Sequence, residues 1–129
     1  MSGAWPGLIV PALLVGCAVA YRPAQRELPA DPPADAFDRI VSVLRVSYPG
    51  LEFADRERLR VRTGWASFER AGVPCRRRAT VFIDQRDLFV VVESRVLAID
   101  LWGEPYWSEP RGSPELEGEL IEVLAAALQ

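Results

Sequence analysis

Apolar residues recur along this chain with two different periods. Phe37, Ile40, Val41, Leu44 and Tyr48 fall at helical spacing, which predicts a helix with one apolar face; Asp31 and Asp35 stand where an N-cap belongs, and Pro49-Gly50 ends the pattern. From Leu59 the period shortens to two. Leu59, Val61, Thr63 and Trp65 alternate with Arg58, Arg60, Arg62 and Gly64, the signature of a half-buried strand. Arg78–Asp84 reads as a second strand. The turn Asp84-Gln85-Arg86-Asp87 leads into the unbroken apolar run Leu88–Val92, which suits a central strand, and Glu93-Ser94-Arg95 connects it tightly to a fourth strand over Arg95–Trp102. Ser113-Pro114 supplies an N-cap and first-turn pair for a last helix, whose face carries Leu116, Leu120, Ile121, Leu124 and Leu128. The order helix, strands, helix predicts an α+β fold: a two-layer sandwich with an antiparallel meander of three to four strands and both helices on its apolar face. The other face of the sheet is then polar.

Upstream of this domain the pattern differs. Ala18–Pro33 holds Pro23, Pro29, Pro32 and Pro33 without an apolar period, which stops a helix and favours extended chain, so it reads as a tether. Before it, Leu8–Ala20 is an apolar run of 13 residues. That is too short for a membrane span, which needs about 20 residues in a helix, and it has the length of the apolar core of a signal peptide.

Within this run Leu14-Val15-Gly16-Cys17 resembles the lipobox of bacterial lipoproteins. The resemblance implies signal removal before Cys17, a thioether-linked diacylglycerol on Cys17, and acylation of the new amino terminus. Two or three acyl chains anchor stably, since each buried methylene contributes about 0.8 kcal/mol. The expected layout is a signal peptide over residues 1–16, the lipidated cysteine and a Pro-rich tether over 17–33, and a small α+β domain over 34–129. Ala18, in place of the Asp that the family uses for inner-membrane retention, implies an outer-membrane position facing the periplasm. Met1–Gly7 departs from the family in lacking any Arg or Lys. The other reading of the run is an uncleaved apolar tail that docks in a core or lies on a membrane. The second cysteine, Cys75, sits in the electropositive setting Pro74-Cys75-Arg76-Arg77-Arg78 and reads as a structural cysteine; a Cys17–Cys75 disulfide is the alternative if no lipid is attached.

Composition narrows the chemistry. All 15 basic residues are Arg, and His is absent. Without imidazole there is no Ser-His-Asp or Cys-His machinery and no His-type metal site. The net charge of −3 is unevenly spread: Ala18–Arg78 carries 12 Arg against 8 acids, whereas Ala79–Gln129 carries 3 Arg against 10 acids. An acidic total argues against nucleic acid as a partner, because such binding rests on many phosphate contacts from a basic surface. No phosphate-cradling loop or nucleophile-elbow motif occurs, and no cofactor or metal is expected. Asp100 and Glu104 beside Trp102 are the nearest thing to a glycan-cleaving acid pair, in a chain with 18 acids.

Two binding features remain. Arg58, Arg60 and Arg62 share one strand face, and Arg76 and Arg78 extend that ladder on a neighbouring strand, giving a patch for an anionic glycan, lipid or acidic partner. The plainer alternative is a solvated face paired with Glu69, Glu93 and Asp100. Trp102, Tyr106 and Trp107, in and just before the loop Gly103–Gly112, are candidate anchors for a partner; the alternative is a lid folded back on the core. Together these features lead to the expectation of a non-enzymatic accessory or adaptor lipoprotein that binds another envelope component, with an anion-binding module as the second reading.

Overall fold

A computed structural model describes residues 22–129. The expected signal peptide, the lipobox and Cys17 lie outside the described residues. In chain order the elements are β1 (Ala24–Glu27), α1 (Ala36–Ser47), β2 (Leu51–Asp55), β3 (Arg60–Thr63), β4 (Ala66–Arg70), β5 (Val73–Asp84), β6 (Asp87–Ile99), β7 (Pro105–Trp107), β8 (Arg111–Gly112) and α2 (Pro114–Ala127). The fold is α+β: two helices pack on an open, antiparallel sheet of eight strands, rather than the three or four expected. Its path runs β1-β6-β5-β3-β2, with β4 added to β5 and with β7 and β8 added to β6.

One face of the sheet is apolar and lies under the helices. Val61, Ala79, Val81, Ile83, Leu88, Val90 and Val92 project from it and bury against Ala36, Phe37, Ile40 and Leu44 of α1 and Ile121, Leu124 and Ala125 of α2. α1 buries Phe37, Ile40, Leu44 and Tyr48 of its expected face and α2 buries Ile121, Leu124 and Leu128 of its own, whereas Val41, Leu116 and Leu120 are only half-buried and Glu117 and Ala125 are buried in addition. Asp35 occupies the N-cap of α1, but its carboxylate makes no cap hydrogen bond and pairs instead with Arg39 at 2.9 Å.

The strands expected over Leu88–Val92 and Arg95–Trp102 are a single strand. Glu93, Ser94 and Arg95, read as a connection, lie mid-strand opposite Arg78, Arg77 and Arg76 of β5. A polar trio does not break a strand whose neighbour supplies partners along the whole stretch. The chain also joins the sheet earlier than its prolines suggested. Ala24–Glu27 pairs with β6 from Val90 back to Asp87, and Leu28 is buried in the core. The prolines tolerate this because β1 is an edge strand, which Pro23 and Pro29 flank without interrupting its ladder. The sheet therefore takes up the chain from Ala24, ahead of the expected boundary at residue 34.

The free edge of β6 is covered piece by piece. β1 pairs with Asp87–Val90, β8 with Glu93 and Ser94, and β7 with Leu97–Ile99. In the gap at Val92, the start of α2 stands in for a strand: the Val92 N–H donates to Glu117 Oε2 at 2.8 Å, and the Ser113 N–H donates to the Val92 carbonyl at 2.9 Å. Glu117 is only 1% exposed. Burial pushes its carboxyl above the ordinary Glu range, partly offset by the Val92 N–H.

Candidate functional site

The face of the sheet turned away from the helices carries the candidate site. Strand alternation places Arg76, Arg78, Thr80 and Phe82 of β5 on this face, with Arg95, Glu93, Val91 and Phe89 of β6 as their direct partners. On the other side of β5 stand Arg60 and Arg62 of β3, opposite Phe82 and Thr80. β3 and β4 run end to end along β5 with one residue in excess between them: the four steps from Arg62 to Ala66 match only three from Thr80 to Arg77. Such a bulge re-aims a side chain, and here it brings Trp65 in among the arginines. Buried Thr63 secures it, its hydroxyl donating to the Gly64 carbonyl at 2.9 Å and accepting the Ala79 N–H at 3.0 Å.

Three guanidinium groups surround the Trp65 ring, with Arg78 at 4.5 Å, Arg95 at 5.1 Å and Arg76 at 5.3 Å from its centroid. Arg76 also lies 4.3 Å from the centroid of Trp107, so it bridges two indoles. The arginines differ in their partners. Arg78 donates from Nε and Nη2 to Glu93 Oε1 at 3.1 and 2.9 Å, and from Nη1 to Glu52 Oε1 at 3.2 Å. Arg62 donates to Thr80 Oγ1 at 3.3 Å and lies 3.9 Å from Glu52. Arg60 sits over Phe82, which stacks on Phe89 with centroids 4.7 Å apart.

Arg76 and Arg95 stand apart from these. They face each other directly across β5 and β6, and neither makes an ion pair among the described residues. The Nε of each is buried without a hydrogen-bond partner. Like charges directly opposite one another destabilise a strand pair. The indole rings hold them by cation–π contact, which leaves both charges unneutralised.

The residues singled out from the sequence are partly assembled here. Arg60, Arg62, Arg76 and Arg78 share the open face. Arg58 does not: it lies in the turn before β3, its N–H donating to Asp55 Oδ1 at 3.1 Å, because the strand begins only at Arg60. Of the acids expected to pair with this face, Glu93 does so, whereas Asp100 is bound in a turn. Its Oδ1 accepts the N–H groups of Trp102 and Glu104, each at 2.8 Å. The three loop aromatics separate. Trp107 is half-buried against Arg76, Tyr106 lies opposite Ala98, and Trp102 stands on the β6–β7 turn, 83% exposed. Arg95 and Trp65 were not legible as site residues, since one lay in an expected connection and the other on the apolar side of an expected strand. Cys75 is buried opposite Val96, with its thiol donating to the Val73 carbonyl at 3.4 Å.

A second concavity lies on the helical side. Val43, Val46, Leu116, Leu120 and Val123 line an apolar groove of about 320 Å³ that also includes Tyr48 and Arg77. Arg77 lies over the rings of Tyr48 and Phe68 at 5.6 and 5.3 Å, and burial raises the Tyr48 hydroxyl pKa against the opposing pull of Arg77. No protein-family model and no curated protein matches the chain.

Proposed function

We propose that this chain is a non-enzymatic accessory lipoprotein of the cell envelope, lipidated at Cys17 and facing the periplasm from the outer membrane. Its domain binds another envelope component through the open face of the sheet. The observation that carries the binding half of this reading is the Arg76–Arg95 pair. Two directly opposed guanidinium groups, each with an unpartnered Nε and both stacked on indole, are preorganised for an anion that bridges them. The arrangement favours a component that presents carboxylate or phosphate groups, and the stacked rings of Trp65 and Trp107 add a flat apolar surface beside the charges. Anchoring rests on the lipobox resemblance at Leu14–Cys17.

The test is binding of the membrane-extracted protein to an acidic polysaccharide, polygalacturonate, and separately to a soluble polyglutamate peptide, read by the change in tryptophan emission. The reading expects saturable binding to at least one probe, weakened at least about tenfold in the double variant Arg76→Gln, Arg95→Gln and screened by salt between about 50 and about 500 mM. Polygalacturonate binding identifies a glycan as the component's chemistry, and polyglutamate binding an acidic protein segment. Binding that is equal in wild type and double variant contradicts the assignment of the site.

A further inference from the structure

The β6–β7 hairpin projects beyond the core and is apolar at its end. Ile99, Leu101 and Trp102 are 70%, 95% and 83% exposed, and Tyr106 beside them is exposed as well. The turn itself is tightly built. The Gly103 N–H donates to the Asp100 carbonyl at 3.1 Å, Gly103 takes the left-handed φ of +79°, and the Asp100 carboxylate holds two further N–H groups. A closed, rigid turn that presents Leu and Trp outward leaves no internal partner for these side chains.

The direction of the chain indicates what meets them. β1 runs antiparallel to β6 with Ala24 opposite Val90, so the N-terminal end of β1 points toward the end of β6 that carries this hairpin. Seven residue steps lead from Cys17 to Ala24, and they span at most about 25 Å. Along β6 and into the turn, the eleven steps from Val90 to Leu101 cover about 36 Å. The chain thus enters β1 from the hairpin's side of the domain, and its reach back to position 17 is shorter than the distance from Val90 to the hairpin tip. We infer that Leu101 and Trp102, with Ile99 and Tyr106 behind them, enter the interfacial layer of the same bilayer that holds the acyl chains of Cys17. This rests on the lipidation proposed above. Trp and Tyr favour that layer, and apolar side chains enter it to a depth of about 5–10 Å. The tip carries Asp100 and Glu104 and no Arg, so the contact is apolar and does not depend on anionic lipid.

The experiment places the full-length protein, as extracted from membranes, in phosphatidylcholine vesicles with brominated acyl chains, and reads intact mass and tryptophan emission on the same sample. After signal removal the tryptophans are Trp65, Trp102 and Trp107. The expected result is quenching of about a third of the emission, insensitive to salt and lost in Trp102→Phe. Leu101→Asp, at a fully solvated position, keeps Trp102 and is expected to abolish its quenching too. A lipidated protein whose quenching is the same in wild type and Trp102→Phe overturns the tip contact and leaves the anchor standing. A mass without lipid overturns the anchor; quenching of Trp102 in that sample still supports the tip contact, and its absence overturns that as well.

Discussion

Glu117 shows how a single polar residue can be structural. It is buried at the start of α2 because the edge of β6 lacks a strand partner at Val92, and its carboxylate accepts that N–H. Burial raises its pKa in the folded domain, so it contributes stability that is present below the unfolded pKa and is lost as pH rises through the folded one. Glu117→Gln keeps an acceptor for Val92 while removing the titration. The variant is expected to match the wild type at about pH 4 and to gain on it at about pH 7, as read by chemical denaturation. Equal midpoints at both pH values would show that the carboxyl is not desolvated. Thr63 acts similarly at the end of β3, where its hydroxyl replaces a ladder acceptor for the Ala79 N–H. Arg76 and Arg95 are the contrary case, buried Nε groups that no side chain completes, and that is why the function is placed on them.

At the scale of elements, the two long strands β5 and β6 organise everything else. β6 runs unbroken through Glu93-Ser94-Arg95, so the amides of these residues are expected to exchange with solvent as slowly as those of Val90–Val92. Fast exchange confined to 93–95, measured residue by residue, would instead restore a connection there. The helices were legible because an apolar stripe at helical spacing leaves few alternatives, as at Phe37, Ile40 and Leu44. The strands were less so, for three physical reasons. β1 lies among prolines that mark an edge strand as readily as a linker. β7 and β8, of three and two residues, are too short to show a period. Polar residues at Glu93 to Arg95 resemble a turn until their partners Arg76 to Arg78 are known. The site suffered from the same cause: the alternation put Arg60, Arg62, Arg76 and Arg78 on one face, but Trp65 reaches that face only through a bulge, which no local pattern announces.

Across the whole molecule, the charge asymmetry along the chain becomes an asymmetry between layers. Arg60, Arg62, Arg76, Arg78 and Arg95 line the open sheet face, while Glu115, Glu119 and Glu122 lie exposed on α2, on the opposite side. An anionic partner is thus drawn to one layer and repelled by the other. The linker is also short. With the sheet taking up the chain at Ala24, only residues 18–23 separate it from Cys17, a reach of at most about 25 Å in place of the longer Pro-rich arm expected from composition. With the hairpin end meeting the bilayer as proposed, the arginine face would turn sideways along the membrane, within reach of the proposed envelope component. Among the described residues no helix is long and apolar enough to cross a membrane, so attachment in this account falls to Cys17.

That attachment is tested most directly by the intact mass of the membrane-extracted protein beside a Cys17→Ser variant expressed in a bacterium. The account predicts a wild type that has lost residues 1–16 and gained the mass of two or three acyl chains, and a variant without lipid that leaves the membrane fraction. A wild type that retains Met1–Gly16 and carries no lipid would contradict it.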